Sequence, residues 1–157
     1  MKAPEDLINR ACEHFLKLMI SVKNPPGSKR VLQKLITHYS EPHRYYHTLE
    51  HVVSMLDDFK AVSRLARDAD AIRFAIWYHD VIYDVEDSPL RESNEERSAS
   101  LALEDLVKLS ISTERIVDVC RMIRLTSHQE MSEKLSFDEQ LFLDLDLAVL
   151  GKDRDIF

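Results

Sequence analysis

The chain has 157 residues, 45% hydrophobic and 31% charged, with a formal net charge of −7. This length predicts one domain, residues 1–157, with a single sizeable core. The acid excess disfavours a general binder of nucleic-acid polymer or anionic membrane, whose phosphates need a basic surface, but leaves room for a small phosphate ligand held by a metal. Two glycines and five prolines leave little turn chemistry for an all-β fold. Cys12 and Cys120 sit in apolar helical patterns without a CxxC, and read as buried thiols of a reducing compartment. No signal peptide, lipidation motif or apolar span of membrane length is visible, so a cytoplasmic protein is expected.

Residues 4–22 read as the first helix. Pro4 suits its first turn, Glu5 and Asp6 its positive end, and Leu7, Ala11, Phe15, Leu18 and Met19 recur at helical spacing. Asn24-Pro25-Pro26-Gly27 breaks it. A second helix is predicted from about Ser28 to Tyr39, with Val31 and Leu35 inward. In Ser40 to Lys60, His43, His47 and His51 fall at successive i+4 steps and line one face if the whole stretch is helical. Thr48 as an N-cap would instead leave His47 in the lead-in, so His51 is the safer helical ligand.

The central helix is predicted over 71–82, with Asp70 as its cap. It reads AIRFAIWYHDVI and puts His79 and Asp80 side by side in a strongly apolar run. A buried charged pair is costly unless compensated, and a bound metal is a compensation that suits a His beside an Asp. A polar loop follows, from Asp84 to Ser93. Ser93 to Glu96 matches a capping box that opens a helix to about Leu109. Ser112 to Ser127 is another helix, with His128 at its end. Ser136 to Glu139 is a second capping box, which opens LFLDLDLAVLG with Gly151 as its stop. The expected fold class is all-α, about seven helices. Trp77 and Tyr78 read as core residues.

Four pieces carry metal-ligand chemistry: His51, the His79-Asp80 pair, His128, and Asp144 or Asp146. Mixed imidazole and carboxylate donors suit Mn, Fe, Co, Ni or Zn better than a Mg-only, all-oxygen site. Residues i and i+2 on a helix point about 200° apart, so only one of Asp144 and Asp146 can face such a site.

The motifs Tyr46-His47-Thr48-Leu49-Glu50-His51, His79-Asp80-Val81-Ile82-Tyr83-Asp84, Asn94-Glu95-Glu96-Arg97-Ser98-Ala99, Thr126-Ser127-His128 and Asp144-Leu145-Asp146-Leu147 through Leu150-Gly151 resemble the HD superfamily of metal-dependent phosphohydrolases. They are similar, in order and approximate spacing, to its small group with YHxxxH, HDxxYD, NExxSA and DxDLxxLG, and Thr126-Ser127-His128 is one residue shorter than that group's TxxH. The resemblance implies an HD-type helical bundle and a divalent metal ion, Mg included. It implies the ligands His51, His79, Asp80 and one of Asp144 or Asp146, with Asp146 before Leu147 the better fit to the family's last Asp. It also implies a small phosphorylated substrate and leaves a homodimer open. Asp80 is expected to orient water, and Glu95 or His128 to act as general acid or base. Arg44 and His47 are expected near the substrate phosphate. Asn94 stands where two-metal members often carry His. The chain ends soon after Gly151, where relatives continue, which suggests a short form.

Two rival readings accompany this one. The first is a helical regulatory module that holds metal or nucleotide without turnover. The second is a zinc peptidase, because His47 to His51 is also HxxEH, in which Glu50 would activate water.

Overall fold

A computed structural model describes residues 3–86, 88–128 and 134–148. Seven α-helices occur among them: α1 Glu5–Ser21, α2 Ser28–Tyr39, α3 Leu49–Val62, α4 Ala69–Tyr78, α5 Asn94–Lys108, α6 Thr113–Leu125 and α7 Phe137–Leu147. A short 3-10 turn, Ser63–Leu65, extends α3, and no strand occurs among the described residues. The all-α expectation holds. No helix of the described residues is long and apolar enough to cross a membrane. Gly151, the expected stop of the last helix, lies outside the described residues.

α4 is the hub. Ala71, Ile72 and Phe74 through Tyr78 are all buried, and the helix packs against α1, α3, α5, α6 and α7. A helix apolar on all sides has to be covered on all sides. The rest of the core comes from one stripe of each neighbour, such as Phe15 and Leu18 of α1, Val52 and Phe59 of α3, and Ile123 of α6. Trp77 and Tyr78 are fully buried, as expected of core residues.

The ends of α4 differ from expectation, and each difference goes with a contact to a residue distant in sequence. The helix starts at Ala69, where the Asp68 carboxylate accepts from Ala71 N at 3.0 Å. Asp70, the expected cap, lies in the first turn and accepts from Arg73. Asp68 is itself tied down, since its other oxygen accepts from Arg115 and its backbone N–H donates to Asp138. At the far end the helix stops at Tyr78, with His79 as its C-cap. The carbonyls of Asp80 and Val81 accept from Arg44 at 2.7 Å each, and the next turn tightens through Val81 N to Tyr78 O.

The last turn of α4 is also held from the side. Tyr39 OH donates to the Trp77 carbonyl at 2.9 Å. Tyr78 OH donates to buried Asp105, whose second oxygen accepts from Lys34. The caps of the later helices follow their sequences. Ser136 and Glu139 form a full capping box. Ser93 makes only half of one, because Glu96 turns to Arg124 instead of back to Ser93.

Candidate metal centre

The imidazoles and carboxylates of three segments meet at the C-terminal end of α4. His79 is 2% exposed there. Its Nδ1–H donates to the Ile76 carbonyl at 2.8 Å, so its Nε2 faces the carboxylates, 3.0 Å from Asp80 Oδ2 and 3.4 Å from Asp146 Oδ1. Neither contact is aligned as a hydrogen bond, and Nε2 is buried without a hydrogen-bond partner. His51, in the first turn of α3, brings Nε2 to 3.1 Å from Asp146 Oδ1 and 4.0 Å from Asp80 Oδ2. Its Nδ1 is buried without a partner. The ligand atoms of His51, His79 and Asp146 all lie within 4.8 Å of one another.

This donor set fits a divalent ion. Metal bonds of about 2.0–2.2 Å put neighbouring ligand atoms roughly 3–3.5 Å apart, close to the spacings found here. A buried imidazole nitrogen without a hydrogen-bond partner, as at His79 Nε2, is what a metal-ligating position presents when no ion is bound. His51, His79, Asp146 and Asp80 are the residues that would hold the ion.

The charges of the cluster depend on one another. Burial raises the Asp80 carboxyl, but His79 and His47 more than offset it and hold it well below the usual carboxylate range. Asp146 is also lowered, burial being outweighed by His51 and His79. For His79, burial lowers basicity, and the Asp80 and Asp146 carboxylates overcome that and leave it well above the usual imidazole value.

The cluster forms one side of a cavity of about 260 Å3, whose wall also includes Tyr46, Tyr83, Asn94, Glu95, Thr126 and His128. His47 is brought in, though not by a helix. Residues 41–48 form turns, and Thr48 is the N-cap of α3 in extended conformation. The i+4 row of His43, His47 and His51 is therefore not a helical face. His47 Nδ1 instead bonds Asp80 Oδ2 at 2.8 Å. His43 is exposed, stacks on Tyr83 and donates to the Tyr83 carbonyl. Of the two last aspartates, Asp146 is at the cluster and Asp144 is exposed outside the cavity wall.

Arg44 corrects an expectation. Its side chain is 0% exposed and lies outside the cavity wall. It donates to Glu41 Oε2 and to the carbonyls of His47, Asp80 and Val81 at 2.7–3.0 Å, and it lies over the Tyr39 ring. Arg44 is a clamp between two segments and is not available to a substrate phosphate. Nothing in the sequence signals this, because its partners at positions 80 and 81 are backbone carbonyls.

The NExxSA stretch also has a structural half. Asn94 bonds both the N–H and the carbonyl of Asp84, and buried Ser98, one turn on, accepts from Ile82 N. Together they fasten the chain that leaves α4. The Asn94 amide is thus committed to the loop even though it lines the cavity. Glu95, between them in sequence, lines the cavity as well. His128 is exposed at the cavity wall, with a left-handed backbone (φ 53°). Glu50 is exposed and outside the wall, which removes the water-activating residue that the HxxEH reading requires. Tyr46 and Thr126 are lining residues to which the motifs alone assigned no role.

The chain matches no protein-family model, and comparisons with curated proteins and with solved structures find no similar protein.

Proposed function

We propose that the chain is a metal-dependent phosphohydrolase of the HD type, acting on a nucleotide or another small phosphorylated metabolite. The observation that carries the proposal is the convergence of His51, the His79-Asp80 pair and Asp146, three stretches far apart in sequence, on one wall of a small cavity. A divalent ion bound there polarises a phosphoryl oxygen and lowers the pKa of water towards neutrality.

The other steps belong to the protein's own groups. The Ile76 carbonyl orients His79 through its Nδ1–H. Asp80 accepts a hydrogen bond from His47, which leaves it capacity to orient the attacking water. That water's oxygen bonds to phosphorus as the ester P–O bond breaks, and the leaving oxygen takes up a proton. Glu95 and His128, on the cavity wall, are the groups assigned to that proton transfer.

The test combines metal analysis of the purified protein with a phosphate-release screen over nucleotides and small phosphate esters. Release that chelator and His79→Ala abolish supports the proposal. Bound metal with no product from any phosphorylated compound makes the chain a binding module. Hydrolysis that survives His79→Ala but dies with Glu50→Gln would overturn the HD reading in favour of the peptidase one.

A further inference from the structure

The charges around the cavity restrict what it can hold. Its described wall contains three carboxylates, those of Asp80, Glu95 and Asp146, and four imidazoles, with no lysine or arginine among the described residues. The arginines nearest the wall residues in sequence are engaged elsewhere. Arg44 is clamped to Glu41 and three carbonyls. Arg91 and Arg97 both close on Asp84. Arg124 takes Glu96 with two contacts of 2.7 Å. Glu96 is thereby neutralised, and its neighbour Glu95 faces the cavity without an ion-pair partner among the described residues.

A divalent ion cancels two of the three carboxylates and leaves one negative charge on the wall. In a cavity with less screening than bulk water, each further negative charge on a ligand is opposed. Size restricts the ligand too. About 260 Å3 is below the roughly 300–1,000 Å3 of pockets that enclose drug-sized ligands, which disfavours dinucleotides.

We infer that the site prefers a small phosphate diester, with its single negative charge, over a monoester dianion or a polyphosphate, and that Glu95 sets this preference. The inference rests on the hydrolase reading above. In the reaction, water's oxygen bonds to phosphorus, one ester P–O bond breaks and the alcohol leaves with a proton. A phosphate monoester remains, water's second proton passes to solvent as that monoester ionises to its dianion, and nothing is oxidised or reduced. The product carries one more negative charge than the substrate, so the field that tolerates the diester also favours product release.

The test measures kcat/KM of the Mn2+-loaded protein on bis(4-nitrophenyl) phosphate, 4-nitrophenyl phosphate and ATP, with His79→Ala as the blank. The expected preference for the diester is about tenfold or more. Glu95→Gln is expected to reduce the diester-to-monoester ratio at least about threefold, whatever it does to the absolute rates. Equal or faster turnover of the monoester or ATP would overturn the inference. An unmoved ratio in Glu95→Gln would overturn the role of Glu95.

A binding arm keeps this inference apart from the hydrolase reading. Dimethyl phosphate and methyl phosphate are titrated calorimetrically into the Mn2+-loaded protein. No turnover of any substrate overturns the hydrolase reading. The charge preference then stands if dimethyl phosphate binds the tighter, and falls if methyl phosphate does.

Discussion

His79 donates its Nδ1–H to the carbonyl oxygen of Ile76, 2.8 Å away and three residues earlier. A carbonyl only accepts, so the proton of the neutral ring sits on Nδ1 and the Nε2 lone pair points at the carboxylates of Asp80 and Asp146. The helical turn of α4 thus chooses the tautomer that a metal ligand needs. Replacing His79 by Gln removes that lone pair. Affinity for Co2+, followed by its visible absorption, is expected to drop about 100-fold or more. The far-ultraviolet circular dichroism of the variant should stay helical, which separates ligand loss from misfolding.

The last two aspartates are two residues apart and should behave differently. Asp146 Oδ1 is at the cluster, and Asp144 is exposed outside the cavity wall. Asp146→Asn is expected to weaken Co2+ binding by about tenfold or more, and Asp144→Asn by less than about twofold. Equal losses would mean that both or neither reach the ion.

The cluster predicts a two-sided pH dependence for the ion-free protein. Burial disfavours charged His79, but Asp80 and Asp146 hold its proton more tightly in the folded state. Its contribution to stability is complete below the unfolded value of about 6.5 and is lost as pH rises through the raised folded value. Asp80 and Asp146 run the other way, since burial raises them and the imidazoles lower them further. Their contribution is present above the usual carboxylate range, near about 3.9, and is lost as pH falls through the depressed folded values. Urea unfolding with EDTA over about pH 4 to 9 should therefore show stability falling towards alkali, with a further loss in stronger acid. Co2+ has to displace the His79 proton. Its affinity should rise with pH, with about one proton released, as read by calorimetry in two buffers.

Arg44 should matter for stability out of proportion to a single residue. Its removal leaves the carbonyls of His47, Asp80 and Val81 without their charged donor. At roughly 1–3 kcal/mol per orphaned buried group, Arg44→Met should cost about 3 kcal/mol or more in urea unfolding. Arg44→Lys should restore little of it, because one ammonium cannot span the planar fork. Neighbouring Tyr45 is almost wholly exposed, and Tyr45→Ala should stay within about 0.5 kcal/mol.

Much of the helical layout was legible because it is written locally. The apolar stripe of α1, the Asn24 to Gly27 break and the Ser136 capping box each depend on residues within a turn or two of one another. The ends of α4 were not legible. Asp68 wins as cap because it is itself held by Arg115 and Asp138. The helix stops at Tyr78 while Arg44, more than thirty residues upstream, takes the carbonyls that follow. The histidine row of 43, 47 and 51 misled for the same reason. Its spacing is helical, but α3 begins only at Leu49, and His47 reaches the site through Asp80.

The sequence by itself determined an all-helical chain around one apolar central helix, and it marked His51, His79, Asp80 and one of Asp144 or Asp146, with Asp146 the better fit, as candidate ligands. The helical layout and the cost of the buried His79-Asp80 pair follow from periodicity, capping residues and composition, while the choice of His51 and a last aspartate as its fellow ligands is what the resemblance to the HD superfamily implies. Only the tertiary structure decided between Asp144 and Asp146, turned Arg44 from a substrate candidate into a clamp, and assigned Asn94 to the loop while Glu95 faces the cavity. Each of those outcomes depends on which distant atom a side chain meets in space, and separation along the chain does not encode that distance.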